Sequence, residues 1–175
     1  AFCAGADLEK LVPIVTGAKT PVSDAEKKIK NDPTLLNRAL LRNFELYKPE
    51  VAAVNGYAIG GGLEILYSTD IRIAAEGARF GLQEVKWAIF PSGGSSVHLP
   101  RQIPYVRAME ILLTGELMEA REALAIGLVN RVVPPDRLME EAVRFAEIIA
   151  KNGPLALQAV KKAVRKTSGL TIEEA

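Results

Sequence analysis

The sequence is poor in residues that build covalent or metal-dependent sites. Cys3 is the only cysteine among 175 residues, and His98 is the only histidine. One cysteine excludes a disulfide within this chain and any metal site made of cysteines alone. One histidine leaves no zinc or haem site built on histidines. We interpret Cys3 as a small buried thiol and His98 as a surface or structural residue, and we expect a reducing, cytoplasmic location.

The sequence also lacks an excess of one charge and any long apolar run. There are 22 Lys and Arg residues against 21 Asp and Glu residues, a net charge of +1. A protein that binds a nucleic-acid backbone needs a basic excess on one face, so we expect no nucleic-acid partner. No apolar run reaches the roughly 18–20 residues that span a bilayer, so we expect no membrane partner. The hydrophobic share of 49% is ordinary for one globular domain.

Both ends of the chain look interrupted. Residue 1 is Ala, and residues 1–7 are typical of a strand end that enters a glycine turn. Residues 171–175 are typical of the first turn of a helix. We therefore expect this chain to be part of a longer one, with some of the site outside it.

Strand and helix patterns alternate through the middle of the chain. Apolar runs and alternation predict strands at 51–54, 71–75, 78–81 and 128–133. Gly and Pro residues bound the predicted helices. These helices are 63–68, 95–99, one that begins at Pro104, 118–126, a long one that follows residue 136 and ends near 151, and 155–166. This order predicts an α/β core over 1–133 and a helical module over 134–175.

Two segments before residue 50 and one near the end have less distinct patterns. Residues 9–31 are polar and irregular, typical of a mobile surface loop or of a flap over a substrate. Asp32 and Pro33 predict the start of a helix that continues to Pro49, with an apolar face of Leu36, Leu40, Phe44 and Tyr47. In the last helix we expect a solvated basic face, with contact to a coenzyme phosphate as the lesser alternative: Lys161, Lys162, Arg165 and Lys166.

Three features are candidates for parts of a catalytic site: the small-residue turn at 4–7, the glycines at 60–62 followed by Glu64, and Glu84 ahead of residues 91–94. Consecutive glycines before a helix let the backbone approach a ligand and point free N–H groups at it, which would stabilise an oxyanion. Two nearby carboxylates could serve as general acid and base. The alternatives are a Glu64 that interacts with the helix dipole, a Glu84 that is a surface acid, and glycines that allow close packing.

Taken together and in this order, these blocks resemble the enoyl-CoA hydratase/isomerase (crotonase) family. The residues that carry the resemblance are 2–8, 53–64, 70–74 and 78–84, followed by 113–115, 120–129 and 132–134. The resemblance implies an α/β fold, a crotonase-like spiral of strand-strand-helix turns with a C-terminal helical oligomerisation module. It also implies a homo-trimer or a hexamer.

The resemblance further implies roles for seven residues. They are the backbone N–H groups of Ala6 and Gly61 as the oxyanion hole, Glu64 and Glu84 as the two acids, and Ala4, Asp7 and Leu8 along the coenzyme. The implied reaction is the addition of water to a 2-enoyl-CoA thioester, with no metal, no redox cofactor, and coenzyme A only as part of the substrate. The alternatives are a double-bond isomerase and a non-catalytic acyl-CoA-binding protein.

Overall fold

A computed structural model describes residues 1–32, 34–42 and 45–174. Its strands are β1 (Val51–Val54), β2 (Tyr57–Ile59), β3 (Ile71–Ala75), β4 (Arg79–Gly81), β5 (Met118–Glu119) and β6 (Arg131–Val133). Its α-helices are α1 (Val12–Thr16), α2 (Asp24–Asn31), α3 (Thr34–Ala39), α4 (Gly61–Glu64), α5 (Ser95–Gln102), α6 (Tyr105–Thr114), α7 (Ala120–Ala125), α8 (Leu138–Ala150) and α9 (Pro154–Thr167). Single 3₁₀ turns cover Ile65–Ser68, Glu84–Trp87 and Pro135–Arg137.

The strands form two small sheets that alternate along the chain. One sheet has the order β1-β3-β6 and is parallel throughout. The other has the order β2-β4-β5, with β2 parallel to β4 and β4 antiparallel to β5. Each β1-to-β2 or β3-to-β4 step therefore moves the chain from one sheet to the other. This repeat confirms the predicted α/β class with strand-strand-helix turns.

The core explains why β1 is apolar along its whole length and why β3 is apolar except at Arg72. The main cluster of buried side chains includes Val54, Leu63, Phe80 and Leu99, and each of them is fully buried. A second cluster joins Ile73 and Ala75 of β3 to Leu138 and Ala142 of α8. A strand with helices on both sides has no polar face, which gives the continuous apolar pattern. Within the described residues, no helix is long and apolar enough to cross a membrane.

Residues 9–31 contain two helices, so the prediction of an irregular segment is wrong. In α2 the Ser23 hydroxyl accepts a hydrogen bond from the Glu26 N–H, and the Glu26 carboxylate accepts one from the Ser23 N–H. This reciprocal cap is a helix-start signal that the sequence carries as Ser-x-x-Glu. The shorter helix α1 has Pro13 in its first turn and ends at Gly17 in the left-handed conformation.

The helix predicted from residue 32 to Pro49 is much shorter than expected. Helix α3 ends at Ala39, and Leu41 takes a positive φ of 55°. The Arg42 N–H returns to the Asn37 carbonyl, which closes the helix end. Tyr47 lies outside any helix, while Pro33 and Phe44 lie outside the described residues.

Half of the predicted basic face on α9 points inward, which corrects the prediction of a solvated stripe. Lys161 is 8% exposed, and its Nζ lies 2.6 Å from Asp70 Oδ2 and 3.2 Å from Glu50 Oε2. Arg165, one turn later, donates to the Leu46 and Ser68 carbonyls. Lys162 and Lys166 are exposed as predicted. Residues four apart share one helix face, so 161 and 165 both point toward the core, Lys161 buried and Arg165 half-buried.

We expect Lys161→Ala to destabilise the protein and Lys166→Ala to leave its stability unchanged. Removing the Lys161 ammonium leaves Asp70 without this partner and Glu50 with only Arg165, 3.8 Å away, and breaking comparable buried pairs costs about 3 kcal/mol. The free energy of unfolding from urea titration measures both. Equal values for the two variants would contradict the structural role of Lys161.

Candidate active site

Two turns that come from adjacent parallel segments meet at one edge of the fold. Cys3 forms a parallel bridge to Ala58 in β2, and the Ile59 N–H donates to the Cys3 carbonyl at 3.0 Å. Carboxyl ends of parallel segments lie at the same edge, where open α/β folds bind ligands. A Cβ placed on Gly5 would lie 3.2 Å from the Gly61 nitrogen. The two predicted oxyanion segments are therefore neighbours, although they lie more than fifty residues apart in sequence.

The first turn of α4 depends on close backbone packing. A Cβ on Gly62 would lie 2.0 Å from the Cys3 carbonyl oxygen, so only glycine fits there. A Cβ on Gly61 would lie 3.7 Å from Gly5 Cα, an ordinary contact. Among the described residues, neither the Ala6 N–H nor the Gly61 N–H donates to a protein acceptor. Both donors therefore have free capacity for a ligand.

Glu84 lies against the same glycine turn. Its Oε1 is 2.9 Å from where a Cβ on Gly60 would stand, and Gly60 has a φ of 55°. The other carboxylate oxygen, Oε2, is buried and has no hydrogen-bond donor within the described part of the chain. Burial raises the pKa of Glu84, and the charge of Glu64 raises it further. The environment thus favours the protonated form of this carboxyl.

Glu64 is more deeply buried and has partners. It is 5% exposed, and its Oε1 accepts a hydrogen bond of 2.9 Å from the Ser95 hydroxyl. Its Oε2 lies directly against Gly93, where a Cβ would stand only 1.8 Å away. Burial raises the pKa of Glu64, while the Ser95 hydroxyl, nearby backbone N–H groups and the Arg42 charge all favour the ionised form.

The three residues predicted along the coenzyme are all exposed. Ala4 and Asp7 lie on the surface of the turn, and Leu8 is 51% exposed. Asp7 Oδ1 accepts hydrogen bonds from the Glu9 and Lys10 N–H groups, and these lower its pKa. The Asp7 carboxylate therefore holds the turn together locally.

Sequence reasoning missed three residues around Glu64. Ser95 begins α5, Tyr67 hydrogen-bonds to Ser95, and Arg42 follows α3. A small polar residue directly after Gly93 and Gly94, at a helix start, was the available signal for Ser95. Tyr67 and Arg42 carry no local signal, since tertiary packing brings them to the site. Within the described residues, no cluster of His, Cys, Asp and Glu has a geometry that could hold a metal ion.

We expect Glu84→Gln to stabilise the protein at neutral pH. A carboxyl whose pKa is raised on folding adds stability below its unfolded pKa, near 4.5, and loses that contribution as the pH rises through the folded pKa. At pH 7 the unfolded Glu84 is ionised while the folded site disfavours ionisation, and Gln has no such cost, so the free energy of unfolding should rise by about 1 kcal/mol. Urea unfolding at pH 4.5 and pH 7 measures this. If the free energies of unfolding of Glu84→Gln and of the parent differed by the same amount at both pH values, the assigned burial of Glu84 would be contradicted.

Comparison with known proteins identifies the family. The model of the enoyl-CoA hydratase/isomerase family matches residues 1–175, and the chain belongs to this family. The chain is 44% identical over 174 residues to enoyl-CoA hydratase EchA19 of Mycobacterium tuberculosis, and 43% identical over 163 residues to (E)-benzylidenesuccinyl-CoA hydratase of Thauera aromatica. A crystal structure of enoyl-CoA hydratase from Bacillus anthracis superposes with a TM-score of 0.85 at 37% identity.

The chain is shorter than these relatives. The EchA19 alignment covers 99% of this chain and 63% of the relative, and the Thauera alignment covers 93% and 59%. The Bacillus structure match covers 99% of this chain and 64% of that protein. The fold and the family are thus established over nearly all of this chain.

Proposed function

We propose that the protein adds water across the 2,3 double bond of a 2-enoyl-CoA thioester. The observation that carries the proposal is the pairing of two carboxyls, the buried Glu64 and the half-buried Glu84, with two backbone N–H groups in adjacent turns that have no protein acceptor among the described residues. Hydration needs both kinds of group: donors for the charge on the thioester oxygen and two acid–base groups for the water. Relatives named as hydratases support the same reaction.

The N–H groups of Ala6 and Gly61 would stabilise the enolate oxygen. When water adds at C3, the π electrons move through C2 and place negative charge on the thioester oxygen. Preorganised donors stabilise that charge more than they stabilise the uncharged substrate, and one such donor contributes about 3 kcal/mol in comparable sites. The close contact between the Gly5 and Gly61 backbones supports a shared position for this oxygen.

The different surroundings of the two glutamates suggest separate roles. Glu64 has a hydroxyl donor and a nearby cation, which favour a carboxylate that can accept a proton from water. Glu84 has a buried oxygen without a donor in the described chain, which favours a carboxylic acid that can give a proton to C2. One O–H bond of water breaks, the C3–O and C2–H bonds form, and the proton returns from Glu64 to Glu84 through solvent. The reaction is redox-neutral, so we propose no redox cofactor; because the N–H groups of Ala6 and Gly61 would polarise the thioester carbonyl, we also propose no metal.

We further propose that coenzyme A runs along the exposed turn of Ala4, Asp7 and Leu8. Their exposure at the edge beside Ala6 supports this path. In this proposal Asp7 acts by shaping the turn, since its carboxylate already accepts two backbone hydrogen bonds.

For the assembly, we propose a homo-trimer or a hexamer with contacts from residues 134–175. Large apolar side chains of α8 and α9 face outward, among them Met139, Leu155 and Val160. Light scattering of the full-length protein would measure the mass, and a monomer would contradict this part of the proposal. The division into 1–133 and 134–175 and the cytoplasmic location stay predictions from the sequence.

The full-length protein should be tested with 2-enoyl-CoA and 3-enoyl-CoA thioesters of several chain lengths. Loss of the conjugated-thioester absorbance with formation of a 3-hydroxyacyl product is the expected result. Conversion of the 3-enoyl to the 2-enoyl thioester without hydration would indicate an isomerase. Binding of the thioesters with no turnover would indicate a non-catalytic acyl-CoA-binding protein.

A further inference from the structure

A buried chain of two hydroxyl groups, those of Tyr67 and Ser95, leads to Glu64. Ser95 is fully buried at the start of α5, and its Oγ lies 2.9 Å from Glu64 Oε1. Tyr67 is 8% exposed, and its hydroxyl donates to Ser95 Oγ at 3.4 Å. The proposed reaction steps do not use either hydroxyl, yet both occupy buried space where apolar atoms would pack at less cost.

The direction of these hydrogen bonds follows from the number of protons available. An ionised carboxylate can only accept, and a serine hydroxyl has one proton to donate. Ser95 must therefore give its proton to Glu64, and Tyr67 must donate to the Ser95 oxygen. The Gln102 side chain donates to the Tyr67 carbonyl and helps hold this residue in place. The chain Tyr67 to Ser95 to Glu64 thus has one orientation.

We propose that Ser95 is a positioning residue for Glu64 and that Tyr67 orients Ser95. This inference rests on the proposed function, because it assigns how the water-activating carboxylate is held. The Ser95 hydroxyl fixes Oε1, while Gly93 leaves just enough room for Oε2. With both oxygens held in this way, the carboxylate keeps one position and one orientation in the site. Misplacing a reacting group by about 1 Å can cost roughly 100-fold in rate.

Other groups around Glu64 set the direction of the expected pH effect. Glu84 has like charge when it is ionised, Arg42 has opposite charge, and Tyr67 is a neutral phenol. Burial raises the pKa of Tyr67, so this phenol stays protonated through the range in which Glu64 titrates. Removing the Ser95 hydroxyl deletes a donor to the ionised form and should raise the pKa of Glu64 by about one unit. Arg42 and Glu84 are unchanged in that variant.

The test compares Ser95→Ala and Tyr67→Phe with Ser96→Ala, an exposed serine on the same helix. In the full-length protein, Ser95→Ala should lower kcat about 10- to 100-fold, with KM changed less than about threefold. The acid limb of kcat/KM should move to higher pH by about one unit, with a smaller shift in Tyr67→Phe. In a Glu64→Gln background, Ser95→Ala should cost little further rate. Ser96→Ala should match the parent.

A second readout separates this inference from the proposed function. The carboxyl carbon of Glu64, labelled with ¹³C and assigned by its loss in Glu64→Gln, reports the pKa directly without any reaction. A higher pKa of Glu64 in Ser95→Ala supports the inference even if the parent protein hydrates no thioester. Absence of hydration by the parent would contradict only the proposed function. An unchanged titration and pH limb in a folded Ser95→Ala overturns the inference. Should that variant not fold, the same comparison on Tyr67→Phe decides.

Discussion

Replacing Glu84 by Gln should lower the rate of thioester hydration by at least 100-fold. General acid–base catalysis contributes about 10²- to 10⁴-fold, and Gln has the size of Glu but no proton to give to C2. Thioester binding should remain close to that of the parent, because neither Ala6 nor Gly61 is altered. Steady-state hydration of a short 2-enoyl-CoA and calorimetric binding of a saturated acyl-CoA measure the two effects.

Glu147→Gln is the matched control, since Glu147 is an exposed acid on α8. It should keep the hydration rate of the parent. Near-normal turnover in Glu84→Gln would contradict the assignment of Glu84 as the proton donor. A hydration rate that falls together with acyl-CoA binding would instead indicate a damaged site. Retained double-bond migration in Glu84→Gln would favour an isomerase that uses one acid.

Gly93→Ala should abolish most hydration by displacing Glu64. The added Cβ would stand 1.8 Å from Glu64 Oε2 and 2.6 Å from a methyl carbon of Leu40, so neither neighbour can remain in place. The carboxylate must then leave the Ser95 hydroxyl, and a general base moved by an ångström or more loses roughly 100-fold in rate. The hydration rate, measured at the pH optimum of the parent, checks this loss.

Gly77→Ala is the corresponding control, because nothing lies within 4 Å of a Cβ at that position. Its hydration rate should equal that of the parent. A folded Gly93→Ala protein with parental activity would mean that Glu64 need not occupy its observed position for the reaction.

The sequence predicted elements whose signals are local. Four consecutive apolar residues predicted β1 at its observed bounds, because a parallel strand buried on both faces has no polar position. Residues 71–75 were likewise predicted, and the punctuation by Gly153 and Pro154 located the start of α9 within one residue. The capping box of Ser23 and Glu26 was an equally local signal, and it was overlooked in a segment that reads as polar and irregular.

Features formed by distant contacts could not be predicted in this way. Lys161 looks like any exposed helical lysine until Glu50 and Asp70, about a hundred residues earlier in the chain, are placed beside it. The same holds for the hydrogen bond between Ser95 and Glu64, because the family resemblance assigns a role to Glu64 but none to Ser95. For the glycines at 60–62 the sequence left ligand binding and close packing open. The structure supports packing at Gly62, which lies against Cys3, whereas the Gly61 N–H has no protein acceptor among the described residues.

The central claim is that Glu64 and Glu84 together add one water molecule to a 2-enoyl thioester. The most direct test is to run the reaction of the full-length protein in H₂¹⁸O and to analyse the acyl-CoA product by mass spectrometry. We expect a 3-hydroxyacyl-CoA with one ¹⁸O at C3, formed by the parent and at least 100-fold more slowly by Glu64→Gln and by Glu84→Gln. A product without ¹⁸O, or equal labelling rates in all three proteins, would contradict the account.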